Sequence, residues 1–505
     1  MTPKPEEVDA LRPVAISPPA TALPHPLPTD APADAAPSRR KIFTVGTLVY
    51  TTGGLALLFF WLLLGDFALS LRDRSVGPVV QLFLKREGAS DTVMAILLSS
   101  LPPLLGMILG PIVSYRSDRL RSRWGRRIPF LIIPTPIAAL AMVGIALTPF
   151  VADWLHPMLD GRFSKTAVTI AVFGVFWTIF EVAAIVSASV FGGLINDVVP
   201  RPVLGRFFGL FRAVSLIDGM IFNYFLLQWA ETHFLEMFTA IAVVFGVGFV
   251  LMCLMVREGQ YPPPHPINAA APDERRGFFH AAGTYFRECY SRPHYLWCFA
   301  AFTLGTITFM PINVFSINWA KQLNLDMGYY GKLIAGSYLV SLCLAYPLGS
   351  LVDRFHSVRV GLVALTLYAI STAWGAFYIH DATTFGIALV AHTVLSGTYF
   401  TTTASMGQAL LPRSKFSQFA SAGGIVSSLA AMCVGPALGL VLDGTNHNYR
   451  LTYVTGFALS CIAVLVLYAV YRRFMALGGP RGYIAPGDTP EDLVSPAVAD
   501  AARVH

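Results

Sequence analysis

The sequence predicts an all-α membrane protein of twelve transmembrane helices, arranged as two halves of six. Three observations predict it: too few charges for a water-facing surface, apolar runs of bilayer-spanning length that recur along the chain, and one long polar interruption that divides them evenly. Of the 505 residues, 13% are charged and 55% are hydrophobic. A soluble domain carries about 25% charged residues, so most of this chain has lipid as its natural solvent. The plentiful glycine and phenylalanine suit helices that pack closely in a bilayer.

Apolar runs of about 20 residues or more, enough to cross the hydrocarbon layer, recur twelve times. They fall at 50–83, 91–115, 128–150, 166–195, 207–230, 234–256, 294–319, 328–352, 358–379, 383–411, 416–443 and 449–473. The first could instead end near Leu64, ahead of a charged stretch. The largest interruption holds Pro262-Pro263-Pro264, Asp273-Glu274-Arg275-Arg276 and Arg287. It separates a six-helix half at 41–256 from a second at 294–474, with a linker at 257–293. Residues 1–40 and 475–505 are expected to be disordered tails, since the Pro- and Ala-rich ends offer little apolar surface to offset ordering entropy. No cleavable signal peptide is expected, because the first apolar run begins only near Ile42.

Charge sets an orientation. With both tails in the cytoplasm, the cytoplasmic segments hold Arg39, Arg40, Lys41, the run from Arg116 to Arg127, Arg201, Arg206, the linker arginines, Arg354, Arg359, Arg413, Lys415, Arg472 and Arg473. The opposite loops hold Lys85, Arg86, Arg162, Lys165, Lys321, Lys332 and Arg450. This is the positive-inside bias, so the net charge of +7 reads as topology in a cell membrane and not as nucleic-acid binding. Cys253, Cys289, Cys298, Cys343, Cys433 and Cys461 form no Cys-x-x-Cys pair and read as small packing residues. There is no nucleophile–base arrangement, metal spacing or phosphate loop. An enzyme, a cofactor and a bound metal are therefore not expected, and short Gly-Gly steps such as Gly423-Gly424 read as helix-packing sites.

A loop pattern occurs once in each half. The second run leads into Gly110 and Pro111, then Asp118-Arg119, then Arg123-Trp124-Gly125-Arg126-Arg127. The eighth leads into Gly349, then Asp353-Arg354, then Arg359. Repeats of this kind mark transporter halves. The acid can pair with arginine and with a helix N-terminus, so Gly110, Asp118, Arg119, Gly125, Arg126, Arg127, Asp353 and Arg354 are candidates for a cytoplasmic gate. The pattern resembles the loop motif of the major facilitator superfamily. The stretch from Ser117 to Phe130, with Ser-Asp, Ser-Arg, Trp-Gly and Arg-Arg ahead of Ile-Pro-Phe, is similar to the loop of the glycoside–pentoside–hexuronide:cation symporters and the sucrose transporters. The resemblance covers roughly residues 45–475 in topology and is weaker in the second half. It implies a secondary transporter that takes a sugar, a disaccharide or another glycoside, with a cation and as a monomer.

Ionisable residues inside a span are costly and are functional by default. Here they are Asp66, Arg72, Asp73, Arg74, Glu181, Arg212, Asp218 and His392. Asp66 lies in an Asp-Phe-Ala similar to that of melibiose-type carriers, whose acid binds sugar hydroxyls. Glu181 is similar in place to their fourth-helix acid, and Arg212 to their fifth-helix arginine. An alternative for Glu181 is a structural ion pair with Arg212. Trp177, one turn before Glu181, is a candidate for stacking on a sugar ring, and Tyr399 or Phe400 lies where the family sets an aromatic against sugar. The resemblance assigns no role to Arg72, Asp73, Arg74 or Asp218, and His392 reads as a hydrogen-bonded structural group or a titrating one. The family's sodium-site carboxylates on the second helix correspond to Gly106 and Gly110 here, and its eleventh-helix lysine is missing near Ala430-Ala431. A proton carried by Glu181 or Asp66 is therefore expected in place of sodium. Two further readings are a proton-driven exporter of small molecules and a non-transporting membrane sensor. The several polar groups within the spans favour the sugar carrier over an exporter of apolar compounds, and the short linker and disordered-looking tails speak against a sensor.

Overall fold

The computed structural model describes residues 42–160, 162–260, 277–412 and 415–488. The expected N-terminal tail, residues 261–276 of the expected linker and residues 489–505 of the expected C-terminal tail lie outside the described residues. In chain order, helices 1 to 6 are Thr52–Arg86, Asp91–Arg119, Pro129–Ala146, Lys165–Val198, Arg201–Trp229 and Phe234–Met255. Helices 7 to 9 are Pro293–Gln322, Met327–Phe355 and Ser357–Tyr378; helices 11 and 12 are Phe416–Gly444 and Arg450–Ala476. These eleven are long and apolar enough to cross a membrane. Helix 10, Ala382–Thr403, completes the two sets of six and is the polar exception, rich in threonine. Its hydroxyls turn inward to their own backbone, as Thr401 Oγ1 does to the Gly397 carbonyl at 2.8 Å. Such bonds satisfy a polar side chain without water.

Helix 1 runs unbroken past Leu64 to Arg86, begun by Thr51, whose hydroxyl accepts from the Gly54 N–H at 3.2 Å. Asp66 is therefore inside a helix and not in a loop beyond one. A short antiparallel hairpin, Ile42–Val45 with Leu48–Thr51, precedes helix 1 of the helical bundle. Gly46, at φ +54°, makes its turn between two runs that hold Val and Thr. The expected disordered tail from residue 475 is instead ordered to 488. There the Tyr483 hydroxyl donates to the Leu410 carbonyl at 2.7 Å and the Tyr295 hydroxyl to the Pro486 carbonyl at 2.8 Å. The Tyr483 ring also packs on Phe474, so one aromatic residue anchors the strap. Within the expected linker, a helix at Gly277–Tyr290 lies against helix 11. Its Tyr290 hydroxyl bonds the Ala422 carbonyl at 2.9 Å. Lys415 and Gln418 both donate to Glu288 and hold its carboxyl below the usual value.

The six-helix halves touch near one face of the bundle and part toward the other. The separated end carries Arg116, Arg119, Arg354 and Arg473 at helix ends and is the basic face. At the opposite face the backbones meet closely. A Cβ on Gly439 would lie 2.7 Å from Thr92 Cα, and one on Gly435 would lie 2.8 Å from Ser99 Cβ. Toward the basic face, a Cβ on Gly106, Gly205, Gly349 or Gly424 would meet nothing within 4 Å. Helix 8 shows the same gradient, with buried residues from Met327 to Ser337 and none from there to Phe355.

Asp91 is the centre of the closed end. Its carboxylate is fully buried and receives the Tyr449 hydroxyl at 3.0 Å and the Asn318 amide at 3.1 Å. It also contacts His447 Nδ1 at 2.7 Å and Lys85 Nζ at 3.5 Å. Asp443, from helix 11, accepts the backbone N–H groups of Asp91 and Thr92 at 2.8 and 2.9 Å and the Thr92 hydroxyl at 2.6 Å. A carboxylate on these N–H groups satisfies orphan donors and the positive end of the helix dipole together. Lys321 of helix 7 and Glu231, just after helix 5, form a further ion pair between the halves. Replacing Asp443 with alanine removes the charge-assisted bonds and is expected to weaken closure by about 1.5–3 kcal/mol. Spin labels at Glu87 and Thr445 would then report a second, longer distance. A distribution identical to that of the unaltered protein would show that the acid does not hold this end shut.

Candidate functional site

Between the halves lies a cavity of about 400 Å³. Helix 1 lines it with Arg74, Pro78 and Gln81, and helix 5 with Arg212, Leu216 and Asn223. From the second half, helices 7, 8 and 10 contribute polar groups that include Asn313, Ser316, Tyr338, Ser341, His392 and Ser396. This placement explains the composition of helix 10, whose hydroxyl-bearing and small residues form a wall. It also explains the two arginines, because each lines an open polar cavity. Arg74 donates to the Ser215 hydroxyl at 3.2 Å and the Tyr338 hydroxyl at 3.4 Å, and its guanidinium lies 5.2 Å from the Tyr338 ring centre.

Of the residues expected to bind substrate, Arg212 lines the cavity. Asp66, Glu181 and Trp177 are not among its lining residues. Asp66 is 1% exposed, with one oxygen accepting from the Ser70 hydroxyl at 3.3 Å and the other without a hydrogen-bond partner. Glu181 is half-buried, and the charged groups that act on it are Arg72 and Asp73, not Arg212. The alternative considered for Glu181, an ion pair with Arg212, is not formed, and Arg72 pairs instead with Asp73. Arg72 binds Asp73 at 2.5 Å and lies over the rings of Phe180 and Phe245 at 5.8 and 5.0 Å. Asp218 is fully buried with neither oxygen hydrogen-bonded, and Arg74 is its charged neighbour. Sequence reasoning found these charges but not their facing, because helix 1 is apolar on all sides and gives no amphipathic stripe to orient it.

The aromatic candidates separate in the same way. Trp177 is buried and stacks on Phe173 at 5.6 Å, while its indole N–H donates to the Leu97 carbonyl at 2.9 Å. Leu97 lies in a π-turn, Ile96–Ser100, where a backbone carbonyl loses its regular partner. The tryptophan thus satisfies a broken helix and does not face the cavity. Tyr399 is buried against Gly305 and Phe309 within the second half, whereas its neighbour Phe400 does line the cavity. His392 lines the cavity and is held at both nitrogens, by the Tyr368 hydroxyl at 2.9 Å and by Asn313 Oδ1 at 3.0 Å. A neutral ring serves both contacts, with Nε2–H donating to Asn313 and Nδ1 accepting from Tyr368.

At the basic face, the candidate gate residues of the first half are tied within that half. Arg127 pairs with Asp118 at 2.6 Å and with Asp197 at 3.1 Å, and Arg126 pairs with Asp197 at 2.7 Å. Glu258 accepts the backbone N–H groups of Arg126, Arg127 and Ile128 at 3.0, 2.7 and 2.7 Å, which caps the start of helix 3. Gly125 has φ +104°, and a Cβ there would collide with Glu258, so glycine is required by backbone angle and by space. A Cβ on Gly110 would lie 3.8 Å from Ser189 Oγ, and Arg119 lies over the Tyr115 ring at 4.3 Å. In the second half, Asp353 and Arg354 are exposed, with Arg354 over the Phe355 ring at 5.2 Å. Asp197 and Glu258 were missed because each is a single acid at a helix end, far in sequence from the loop it holds.

Residues 297–487 match the sequence model of the Major Facilitator Superfamily. The sucrose transport protein SUC4 of Arabidopsis thaliana is 21% identical over 304 residues, which span 55% of this chain and 56% of that protein, so the chain matches about half of its length. A D-xylose–proton symporter structure superimposes with a TM-score of 0.59 at 13% identity, covering 82% of this chain and 97% of that chain. A bacterial homolog of the human lysosomal transporter Spinster, in an inward-facing and unoccupied conformation, gives 0.57 at 15% identity, covering 88% and 98%. With twelve long helices among the described residues, in two halves around a polar cavity, the chain has the fold of the major facilitator superfamily.

Proposed function

We propose that the protein imports a sugar, a disaccharide or other glycoside, across the cell membrane by proton symport, with both termini and the basic face in the cytoplasm. The observation that carries this reading is the cavity between the halves, walled by hydroxyl and amide groups and by Arg212. Hydroxyls and amides both donate and accept, as a polyol requires. An apolar substrate would leave these groups unpaired. The names of two similar proteins, a sucrose transport protein and a D-xylose–proton symporter, agree with it.

The transport cycle is alternating access. The contacts around Asp91 and Asp443 close the outer end, and substrate leaves the cavity toward the basic face. Rocking of the halves then breaks these contacts and closes the basic end, where the Asp118 cluster and the Asp353-Arg354 pair would meet. Arg212 binds substrate directly. Trp177 and Tyr399 act through packing, by fixing the walls behind the cavity. Asp66 and Glu181 carry the coupling proton: both lie in the N-terminal half, and protonation removes the penalty of a charge poorly matched by its surroundings. Sodium has no carboxylate at Gly106 or Gly110 to bind it.

A binding screen of the purified monomer against mono- and disaccharides at two pH values tests the substrate class, and binding of none of them would end the sugar reading. In proteoliposomes, uptake is expected to respond to a pH gradient, and a response to a sodium gradient alone would overturn proton coupling. Glu181→Gln is expected to abolish concentrative uptake while the protein still reaches the membrane, with unchanged accumulation removing Glu181 from the proton path. Asp118→Asn, which loses the 2.6 Å ion pair to Arg127, is expected to slow transport more than it weakens binding. Equal effects on both would mean that the cluster serves only the folded half.

A further inference from the structure

The charges around the cavity do not balance where substrate would sit. Asp73 is bonded to Arg72, and Glu181 has Arg72 as its nearest cationic influence. Asp66 is turned to Ser70. Asp218 lies behind the cavity wall and faces Arg74. None of these four acids lines the cavity, and none forms an ion pair with Arg212 among the described residues. The charged or ionisable groups that act on Arg212 are Arg74 and Tyr338, with no carboxylate among them. Both guanidinium groups line the same cavity, and among the described residues no aspartate or glutamate lines it. Whether Asp218 is ionised or protonated, the lining keeps at least one uncompensated positive charge.

A neutral sugar cannot supply that charge. Its hydroxyls offer dipoles, which stabilise a guanidinium far less than an oxyanion does inside a low-dielectric bundle. A carboxylate or phosphate would accept two parallel N–H···O bonds from Arg212 and meet Arg74 with its remaining lone pairs, or in a phosphate with a further oxygen. The rest of the cavity keeps its hydroxyl and amide character through Ser316, Ser341, Thr393, Ser396 and Gln81. We infer that the natural ligand is a hydroxyl-rich organic anion, with its carboxylate or phosphate held between Arg74 and Arg212. This inference rests on the cavity being the substrate site proposed above, and it narrows the substrate class.

The test is a binding panel on the purified full-length protein in detergent. It contains mono- and disaccharides, each as the neutral sugar, as its carboxylate derivative and as its phosphate ester, together with inorganic phosphate and hydroxyl-free carboxylates. One acidic derivative is expected to bind about 10- to 100-fold more tightly than its neutral parent, the range for a charge-assisted contact. Arg212→Gln is expected to erase most of that preference, and Arg212→Lys to restore part of it. Arg74→Gln provides a second reading should the first variant fold poorly. Which derivative binds separates the carboxylate from the phosphate. Neutral sugars that bind as well as their acids would overturn the anion inference and leave the sugar reading intact. Binding by hydroxyl-free anions alone would overturn both, since the inferred ligand is hydroxyl-rich. A panel with no binder would overturn both.

Discussion

A backbone carbonyl that loses its helical partner inside a bilayer has no water to turn to, and this constraint organises much of the structure. The helices are its ordinary solution. Its less regular solutions are found at the breaks. At the π-turn of helix 2, the Trp177 indole reaches 2.9 Å to the Leu97 carbonyl. At the π-turn of helix 5, Phe222–Leu226, the Asn223 amide bonds the Gly219 carbonyl at 2.8 Å. Outside the apolar layer, Glu258 takes up the free N–H groups at the start of helix 3. The polar side chains that first invite a substrate role are thus divided between two tasks, and geometry decides which residue does which.

The same scarcity of solvent sorts the ionisable groups. Arg72 satisfies Asp73 and spreads its charge over two phenylalanine rings, where cation–π attraction replaces part of its hydration. Arg74 and Arg212 open onto a polar cavity instead. Asp66 and Asp218 have neither arrangement in full, since each retains carboxylate oxygens with no hydrogen-bond partner. The first half of the bundle therefore holds the reactive charges, while the second half contributes a neutral wall of amides, hydroxyls and one doubly anchored histidine.

Local pattern carried the architecture. Run length, the central polar break and the arginine bias are properties of short windows, and the observed helices follow the expected spans to within a few residues at most ends. The exceptions also have local causes, such as Tyr483 anchoring a strap that Pro and Ala had made look disordered. Facing was not legible in this way. Asp66 and Arg74 lie eight positions apart in one apolar helix, and nothing nearby says that the second, not the first, faces the cavity. The contact of Asp91 with Asp443 and His447 was also hidden. Its members come from opposite ends of the chain, and each alone reads as an ordinary polar residue at a helix end. Phe400 was recoverable, since the sequence placed an aromatic there and left only its neighbour to choose from.

The start of helix 2 has two separate sources of acceptors. Ser90 receives the Val93 N–H at 3.2 Å from within its own chain segment, while Asp443 serves the two preceding N–H groups from across the divide. When the halves separate, the helix keeps the serine and exchanges the aspartate for water, which reaches that surface as soon as it opens. Neither partner has to unravel. The joint at Asp91 is therefore reusable: it is strong enough to choose a conformation, yet its loss leaves two intact helices that can find the same register again.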